Sequence, residues 1–164
     1  MKNIRVIVVG GGASGMMAAI TARRQGADVT ILERNPRVGK KILATGNGRC
    51  NYTNINTDIS YYHGNNPKFV YSALAQFDVY QTIEFFEDLG IVHKIEDRGK
   101  VFPMSDQASS VLDVLRYQLE KRQVKVICNA FVQNISVKGD NRFQLKLEDG
   151  SSIEGDRVII ATGG

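Results

Sequence analysis

The start of the chain alternates between unbroken apolar runs and a helical repeat. Residues 5–9 (RVIVV) and 28–32 (DVTIL) are short β-branched runs that stop at Gly10 and at Glu33. Such runs are typical of strands that are buried on both faces of a parallel sheet. Between them, residues 13–25 carry alanines on one flank and end before a glycine, which predicts a helix. The pattern predicts a β-α-β unit.

The pattern loses its periodicity after this unit. Residues 35–66 are rich in Gly, Asn and Thr, which predicts a long structured loop, and a loop of this length inside a compact domain is usually functional. The later periodic segments predict two helices within 67–89, a hairpin over 91–104, a helix over 107–122, buried strands at 124–128 and 157–161, and an antiparallel meander over 131–137, 143–147 and 152–154.

These elements predict one α/β domain over residues 1–164, a Rossmann-like fold with a parallel sheet and a small antiparallel meander. The predicted spatial order of the parallel strands is 124–128, 28–32, 5–9 and 157–161, and the meander lies in the chain between the first and the last of these.

Three glycines fall between the first predicted strand and the first predicted helix. Gly10, Gly12 and Gly15 match the Gly-x-Gly-x-x-Gly fingerprint, and an acid, Glu33, ends the second strand, which is the context that a dinucleotide-binding unit requires. In this motif Gly10 makes the tight turn, Gly12 lets the backbone approach a pyrophosphate, and Gly15 lets helix and strand pack closely. The alternative is a glycine-rich turn that binds no ligand.

The start of the predicted helix supplies the groups that bind phosphate. The backbone at Ala13 and Ser14 offers free N–H groups at the positive end of the helix dipole. Glu33 is placed to accept hydrogen bonds from ribose hydroxyls and would repel a 2′-phosphate, so the sequence favours FAD or NAD over NADP. The neighbouring Arg34 weakens this preference.

All the charged side chains in the segment that follows Glu33 are basic. Residues 34–57 contain no acid, but they contain five basic residues: Arg34, Arg37, Lys40, Lys41 and Arg49. A basic loop after a dinucleotide fingerprint suits a surface along cofactor phosphates, and the alternative is a solvated basic loop. Within it, GKKILATGNGRCNYTN (residues 39–54) brackets a turn with two glycines and adds polar side chains.

Composition limits the other functions. The chain has 164 residues and 43% hydrophobic content, which supports a globular domain, and a net charge of +4, which fits an anionic cofactor but falls short of a nucleic-acid-binding composition. No apolar run approaches the ~18 residues of a membrane span. Two cysteines, Cys50 and Cys128, favour a reducing cytoplasm, and the histidines have no metal-ligand spacing.

The sequence resembles a family of flavoproteins through three blocks. These are GGGASG at 10–15 together with Glu33, GKKILATGNGRCNYTN at 39–54, and IIATGG at 159–164. They are similar to two-dinucleotide-binding-fold flavoproteins related to glutathione reductase, and more narrowly to the bacterial NAD(FAD)-utilising dehydrogenase group, which includes aminoacetone oxidase-like and bile-acid-pathway flavoproteins. The resemblance implies an N-terminal FAD-binding portion whose substrate domain and C-terminal Gly-Asp segment lie outside this chain.

The resemblance also implies roles for individual residues. FAD would lie across the carboxyl ends of the strands, with its pyrophosphate at Gly10 to Gly15 and its ribose at Glu33. The adenine would contact the backbone of Val132. The other residues implied near the diphosphate or the flavin are Lys41, Gly46, Gly48, Arg49, Cys50, Asn51, Ala161, Thr162 and Gly163. A single cysteine cannot form a dithiol centre, and no catalytic acid or base emerges from the chain.

Three functions therefore compete at this point. The favoured one is the FAD-binding portion of a flavin-dependent oxidoreductase that accepts a hydride from a donor such as NAD(P)H. The alternatives are a plain NAD-binding dehydrogenase domain and a flavoprotein that acts on RNA. The substrate is not predicted. The apolar last strand, Val158 to Ala161, would present an open edge, so we expect self-association.

Overall fold

The computed structural model describes residues 3–139 and 142–163 and divides into two compact units. Unit 1 comprises Met1–Lys41 and Asp113–Gly164, and unit 2 comprises Ile42–Leu112. Gly164 of the predicted terminal block lies outside the described residues, as does residue 140 of the predicted Gly-Asp turn at 139–140.

The described elements follow one another in an order that closely matches the sequence pattern. In chain order they are β1 (Arg5–Val9), α1 (Ala13–Arg24), β2 (Asp28–Leu32), β3 (Thr53–Asn54), α2 (Tyr71–Gln76), α3 (Val79–Glu87), β4 (His93–Glu96), β5 (Lys100–Pro103), α4 (Ala108–Lys121), β6 (Lys125–Ile127), β7 (Val132–Lys138), β8 (Arg142–Leu147), β9 (Ser152–Gly155) and β10 (Arg157–Ile160). Short 3₁₀ turns occupy Ile42–Gly48, Ile59–Tyr61, Pro67–Val70 and Asp97–Gly99.

Unit 1 is built on a parallel sheet with the strand order β10-β1-β2-β6. The central strand β1 pairs in register with both neighbours, so that Val8 lies opposite Ile31 on one side and Ile159 on the other. The predicted order of the four strands is confirmed. The Rossmann-like fold is confirmed as well, because α1 connects two parallel strands and packs along them with Met16 and Ile20 fully buried. The prediction that the outer two strands are buried was wrong, because β6 and β10 lie at the edges of the sheet and their residues are half-buried or exposed.

The meander forms a second sheet of unit 1, with the antiparallel order β7-β8-β9. Its buried residues join those of the parallel sheet in one cluster, which comprises Ile7, Val9, Leu32, Ala130, Leu145 and Leu147. Because side chains alternate along a strand, Ile7 and Val9 share one face of β1, and that face is the one that the meander covers. The predicted meander is confirmed.

Unit 2 combines a small sheet with the helices α2 and α3. The predicted hairpin of β4 and β5 is confirmed, and β3 extends it to the order β3-β5-β4. The interpretation of residues 35–66 as a loop was wrong at this point, because Thr53 and Asn54 pair with β5. Two polar residues carry no strand pattern of their own, so this pairing depends on the neighbouring strand. Asp78 and Gln81 form a capping box that begins α3.

Candidate dinucleotide-binding site

The turn between β1 and α1 leaves no room for side chains at two of its glycines. Gly10 has a φ of +105°, and a Cβ there would overlap the carbonyl oxygen of Ala161. A Cβ at Gly15 would overlap the carbonyl oxygen of Gly10. The turn is held by hydrogen bonds from Gly10 N to Leu32 O at 2.8 Å and from Ala161 N to Val9 O at 2.8 Å. Packing within unit 1 therefore requires glycine at both positions.

Gly12 differs from these two glycines. It has a φ of −77°, which any residue can adopt, and a Cβ built on it would meet no described atom within 4 Å. Neither backbone conformation nor internal packing explains a glycine here. The space that a side chain would fill lies at the first turn of α1, which is the place that the fingerprint assigns to a pyrophosphate.

The N-terminus of α1 is open to an anion. Gly12 is the N-cap, no side chain caps the helix, and the first turn contains no acid. The first intrahelical bond runs from Met16 N to Gly12 O, so the backbone N–H groups of Ala13, Ser14 and Gly15 precede it. Free N–H groups and the positive end of a 12-residue helix dipole together favour bound phosphate.

Glu33 lies at the carboxyl end of β2 and is only 7% exposed. Its Oε2 accepts a hydrogen bond from Gly11 N at 2.7 Å, so the carboxylate lies directly beside the glycine turn. Its Oε1 accepts from Asn35 N at 2.8 Å and from Asn35 Nδ2 at 2.6 Å. The acid that the sequence pairs with the glycines is therefore in contact with them.

The loop after β2 returns to the same turn. Gly39 N donates to Gly11 O at 2.8 Å, and the Lys41 ammonium lies 3.4 Å from the position that a Cβ on Gly163 would occupy. Thr162 lies beside Gly10, with its Cα 3.2 Å from the position of a Gly10 Cβ. The structure thus brings Lys41 and residues 161–163 to the glycine turn of unit 1.

Two predicted residues of unit 1 lie at the edge of this arrangement. The Arg34 side chain, next to Glu33, is exposed. Val132 begins β7, two residues after Ala130, whose N–H donates to Glu33 O at 2.9 Å. Both residues follow strands that end beside the glycine turn, and their roles toward an adenosine stay predictions.

The predicted residues Gly46, Gly48, Arg49, Cys50 and Asn51 lie in unit 2, in one tight turn. Positive φ values occur at Gly46 (55°), Asn47 (55°), Gly48 (82°) and Cys50 (63°). The left-handed conformation is unfavourable for residues other than glycine, and such strain is concentrated at functional sites. In the orientation that satisfies its hydrogen bonds, the Asn51 amide nitrogen donates to Thr53 O at 2.7 Å and to Val101 O at 3.1 Å.

The Arg49 side chain has partners within its own unit. Its Nη1 lies 2.8 Å from Glu96 Oε1 and 3.3 Å from Asp106 Oδ1, and its guanidinium lies 4.1 Å from the centre of the Phe102 ring. Lys94 Nζ joins the same carboxylates at 3.0 and 2.6 Å. The hydrogen bonds from Arg49 and Lys94 lower the pKa of Glu96. A cofactor contact of Arg49 stays a prediction.

Neither thiol lies in an environment that favours the thiolate. Burial raises the pKa of Cys50. Burial also raises the pKa of Cys128, and the negative charge of Glu33 adds a smaller contribution in the same direction. Reactive cysteines have lowered pKa values, so neither environment is that of a redox thiolate. In the described part of the chain, no three His, Cys, Asp or Glu side chains are grouped to hold a metal ion. Nor does any described helix have the length and apolar character needed to cross a bilayer.

Comparison with known proteins agrees with this geometry, since a model of the HI0933-like protein Rossmann domain matches residues 4–164. The chain belongs to the HI0933-like Rossmann-domain family. The predicted resemblance is confirmed. The family match spans both the fingerprint and the block at 39–54 that carried the narrower prediction.

Three proteins show what this HI0933-like chain is similar to. It is 46% identical over 164 residues to a 3-dehydro-bile acid delta(4,6)-reductase of Clostridium scindens, covering 98% of this chain and 39% of the reductase. It is 32% identical to the ribosomal RNA dihydrouridine synthase of Escherichia coli, and the match covers 100% of this chain and 40% of the synthase. The fold matches the bacillithiol disulfide reductase Bdr from Staphylococcus aureus with a TM-score of 0.53 at 22% identity. The match covers 99% of this chain and 39% of the reductase. The chain spans about two fifths of each of these proteins.

Sequence reasoning missed three participants in the site, which are Gly11, Asn35 and Val38. A Cβ on Gly11 would lie 2.5 Å from Val38 Cγ1 and 3.1 Å from Glu33 Oε2. The signal for Gly11 was present, because three consecutive glycines exceed what the fingerprint needs. Asn35 and Val38 gave no signal, since their contacts depend on how the loop folds back.

Proposed function

We propose that this HI0933-like chain is the FAD-binding portion of a flavin-dependent oxidoreductase. The observation that supports it most is Gly12, where the lack of a side chain has no explanation in the chain itself and leaves space at an uncapped helix N-terminus. A dinucleotide pyrophosphate explains both features. When bound, the flavin supplies the hydride chemistry, which amino acids lack.

The candidate site residues of unit 1 each have a task in this proposal. The N–H groups of Ala13 to Gly15 donate to the pyrophosphate, and the Lys41 ammonium adds a positive charge beside Gly163. Glu33 accepts from the adenosine ribose and disfavours a 2′-phosphate. These groups bind and orient the cofactor, and we assign the chain no substrate.

A calorimetric titration of the purified chain with FAD, FMN and NADH tests the proposal. FAD and FMN share the flavin, but only FAD carries the adenosine diphosphate that the glycine turn would bind. We expect FAD to bind and FMN to bind at least tenfold more weakly. Binding of NADH without affinity for FAD would instead support a plain NAD-binding domain. In that case NAD(P)H would not act as a donor to a flavin.

A second candidate function is a flavoprotein that acts on RNA. It is favoured by the 32% identity to the ribosomal RNA dihydrouridine synthase, although the relative at 46% identity is named a bile acid reductase. Phosphate contacts by basic residues would make RNA binding fall steeply with salt. Binding of ribosomal RNA that weakens sharply between 50 and 200 mM salt would favour this candidate, and we expect no such binding.

A further inference from the structure

We propose that Asn35 is a positioning residue that orients the Glu33 carboxylate toward a single hydroxyl of the adenosine ribose. The inference rests on the proposed function, because it concerns how the same site recognises its cofactor. Asn35 follows Glu33 by two positions in the loop after β2 and is half-buried.

The contacts of Glu33 show how the carboxylate is held. Asn35 donates twice to Oε1, from its backbone N at 2.8 Å and from its side-chain Nδ2 at 2.6 Å. Gly11 N donates to Oε2 at 2.7 Å. The terminal torsion of a glutamate is broad, so a carboxylate has no fixed plane of its own. Donors on both oxygens fix that plane.

The number of acceptor positions then limits what Glu33 can bind. An ionised carboxylate offers about four lone-pair positions. The two bonds from Asn35 fill both positions of Oε1, and Gly11 fills one of Oε2. One position remains, on Oε2, which is the oxygen beside the glycine turn. Glu33 can therefore accept one ribose hydroxyl strongly and not both.

The loop that carries Asn35 is itself anchored. Asn129 N donates to Asn35 O at 3.1 Å, and Ala130 N donates to Glu33 O at 2.9 Å. These bonds tie both residues to the chain that leaves β6, so the Asn35 amide is oriented before any ligand arrives. Removing the amide leaves the backbone anchors in place, with the backbone N of residue 35 still bonded to Oε1, and opens one acceptor position on Oε1. A selective test is therefore available.

The test compares ADP with 2′-deoxy-ADP and 3′-deoxy-ADP, measured by calorimetry on the whole 164-residue chain. For the unaltered chain we expect one deoxy analogue to bind at least about tenfold more weakly than ADP and the other to bind nearly as well, since a hydrogen bond to a charged group contributes about 1.5–3 kcal/mol. In N35A the opened position on Oε1 can accept the second ribose hydroxyl, so the tenfold difference between the two deoxy analogues should fall below about threefold. The matched control N134A removes an exposed asparagine amide and should keep the ratio.

A purely structural role of Asn35 would weaken all three nucleotides equally and leave the ratio unchanged, which would overturn the proposal. Equal losses for both deoxy analogues would also overturn it, because the acceptor count would then be wrong. N35L keeps about the same volume and removes the donor without adding a charge beside Glu33, so it gives the same test if N35A does not fold. In a double-mutant cycle, N35A should have no further effect on the ratio once E33Q is present.

The outcomes separate this inference from the proposed function. Failure of the unaltered chain to bind ADP or FAD would overturn both. Binding of FAD and ADP by the unaltered chain, together with a normal ratio in N35A, would overturn only the role of Asn35.

Discussion

Gly12 and Gly15 predict opposite results for the same substitution. A methyl group at Gly12 meets no described atom within 4 Å, and the φ of −77° suits alanine. The loss of a favourable N-cap is partly offset by the lower entropy of the unfolded chain, so we expect G12A to change the free energy of unfolding by less than about 1 kcal/mol. A methyl group at Gly15 meets the Gly10 carbonyl, a backbone atom that cannot rotate away.

The expected sizes follow from these contacts. Overpacking typically costs about 1–3 kcal/mol, and for a chain of this length each kcal/mol lowers Tm by about 2–4 °C. We therefore expect G15A to lower Tm by about 2–12 °C. G12A should instead displace the pyrophosphate from the α1 N–H groups, and losing one charge-assisted hydrogen bond of about 1.5–3 kcal/mol weakens FAD binding about 10- to 150-fold.

Circular dichroism melting and quenching of flavin fluorescence measure the two effects separately. G139A is the matched control, because Gly139 also has open space around a Cβ and no positive φ but lies at the end of β7. It should change neither Tm nor FAD affinity by a large amount. Two results would refute the reasoning: FAD affinity within threefold of the unaltered chain in G12A, or a normal Tm in G15A.

Three other predictions concern charge, an edge and a thiol. Arg49 and Lys94 lower the pKa of Glu96 in the folded state, so this carboxylate contributes stability that is present at neutral pH. That stability is lost as the pH falls below the ordinary glutamate pKa of about 4.3, so E96Q should flatten the fall of Tm between pH 5 and 3. Ile160 is 60% exposed on the edge strand β10, and I160K should reduce self-association in analytical ultracentrifugation; a monomeric unaltered chain would contradict this. Burial of Cys50 should protect it from iodoacetamide at pH 7, and rapid alkylation detected by mass spectrometry would show that the thiol is accessible or ionised.

The two central strands of the parallel sheet could be predicted from sequence because they are largely buried, and such strands are continuous apolar runs. The edge strand β10 is an apolar run as well, so β1, β2 and β10 are visible as RVIVV, DVTIL and RVII, each within one residue of its predicted bounds. Their order follows from the glycine fingerprint, since a dinucleotide-binding unit has a known connectivity. Local pattern and fold agree for the central strands of unit 1.

The contacts that sequence could not supply join residues without a shared pattern. Arg49 pairs with Glu96, 47 positions away, so a basic residue that suited a phosphate is paired with carboxylates of its own unit. Asn35 contacts Glu33 only because the loop folds back on itself. The strand at Thr53 and Asn54 exists through its neighbour β5. In each case a partner distant in sequence, or a loop conformation, decides the outcome.

Amide chemical shifts of the ¹⁵N-labelled chain, recorded during titration with FAD, test the central claim most directly. We expect the resonances of the backbone amides of Gly12, Ala13, Ser14 and Gly15 to move most, together with those of residues 161–163, because their N–H groups lie at the turn proposed to bind the pyrophosphate. FMN at the same concentration should leave them in place. Unchanged amide shifts at the glycine turn while FAD binds elsewhere on the chain would contradict a pyrophosphate site at this turn.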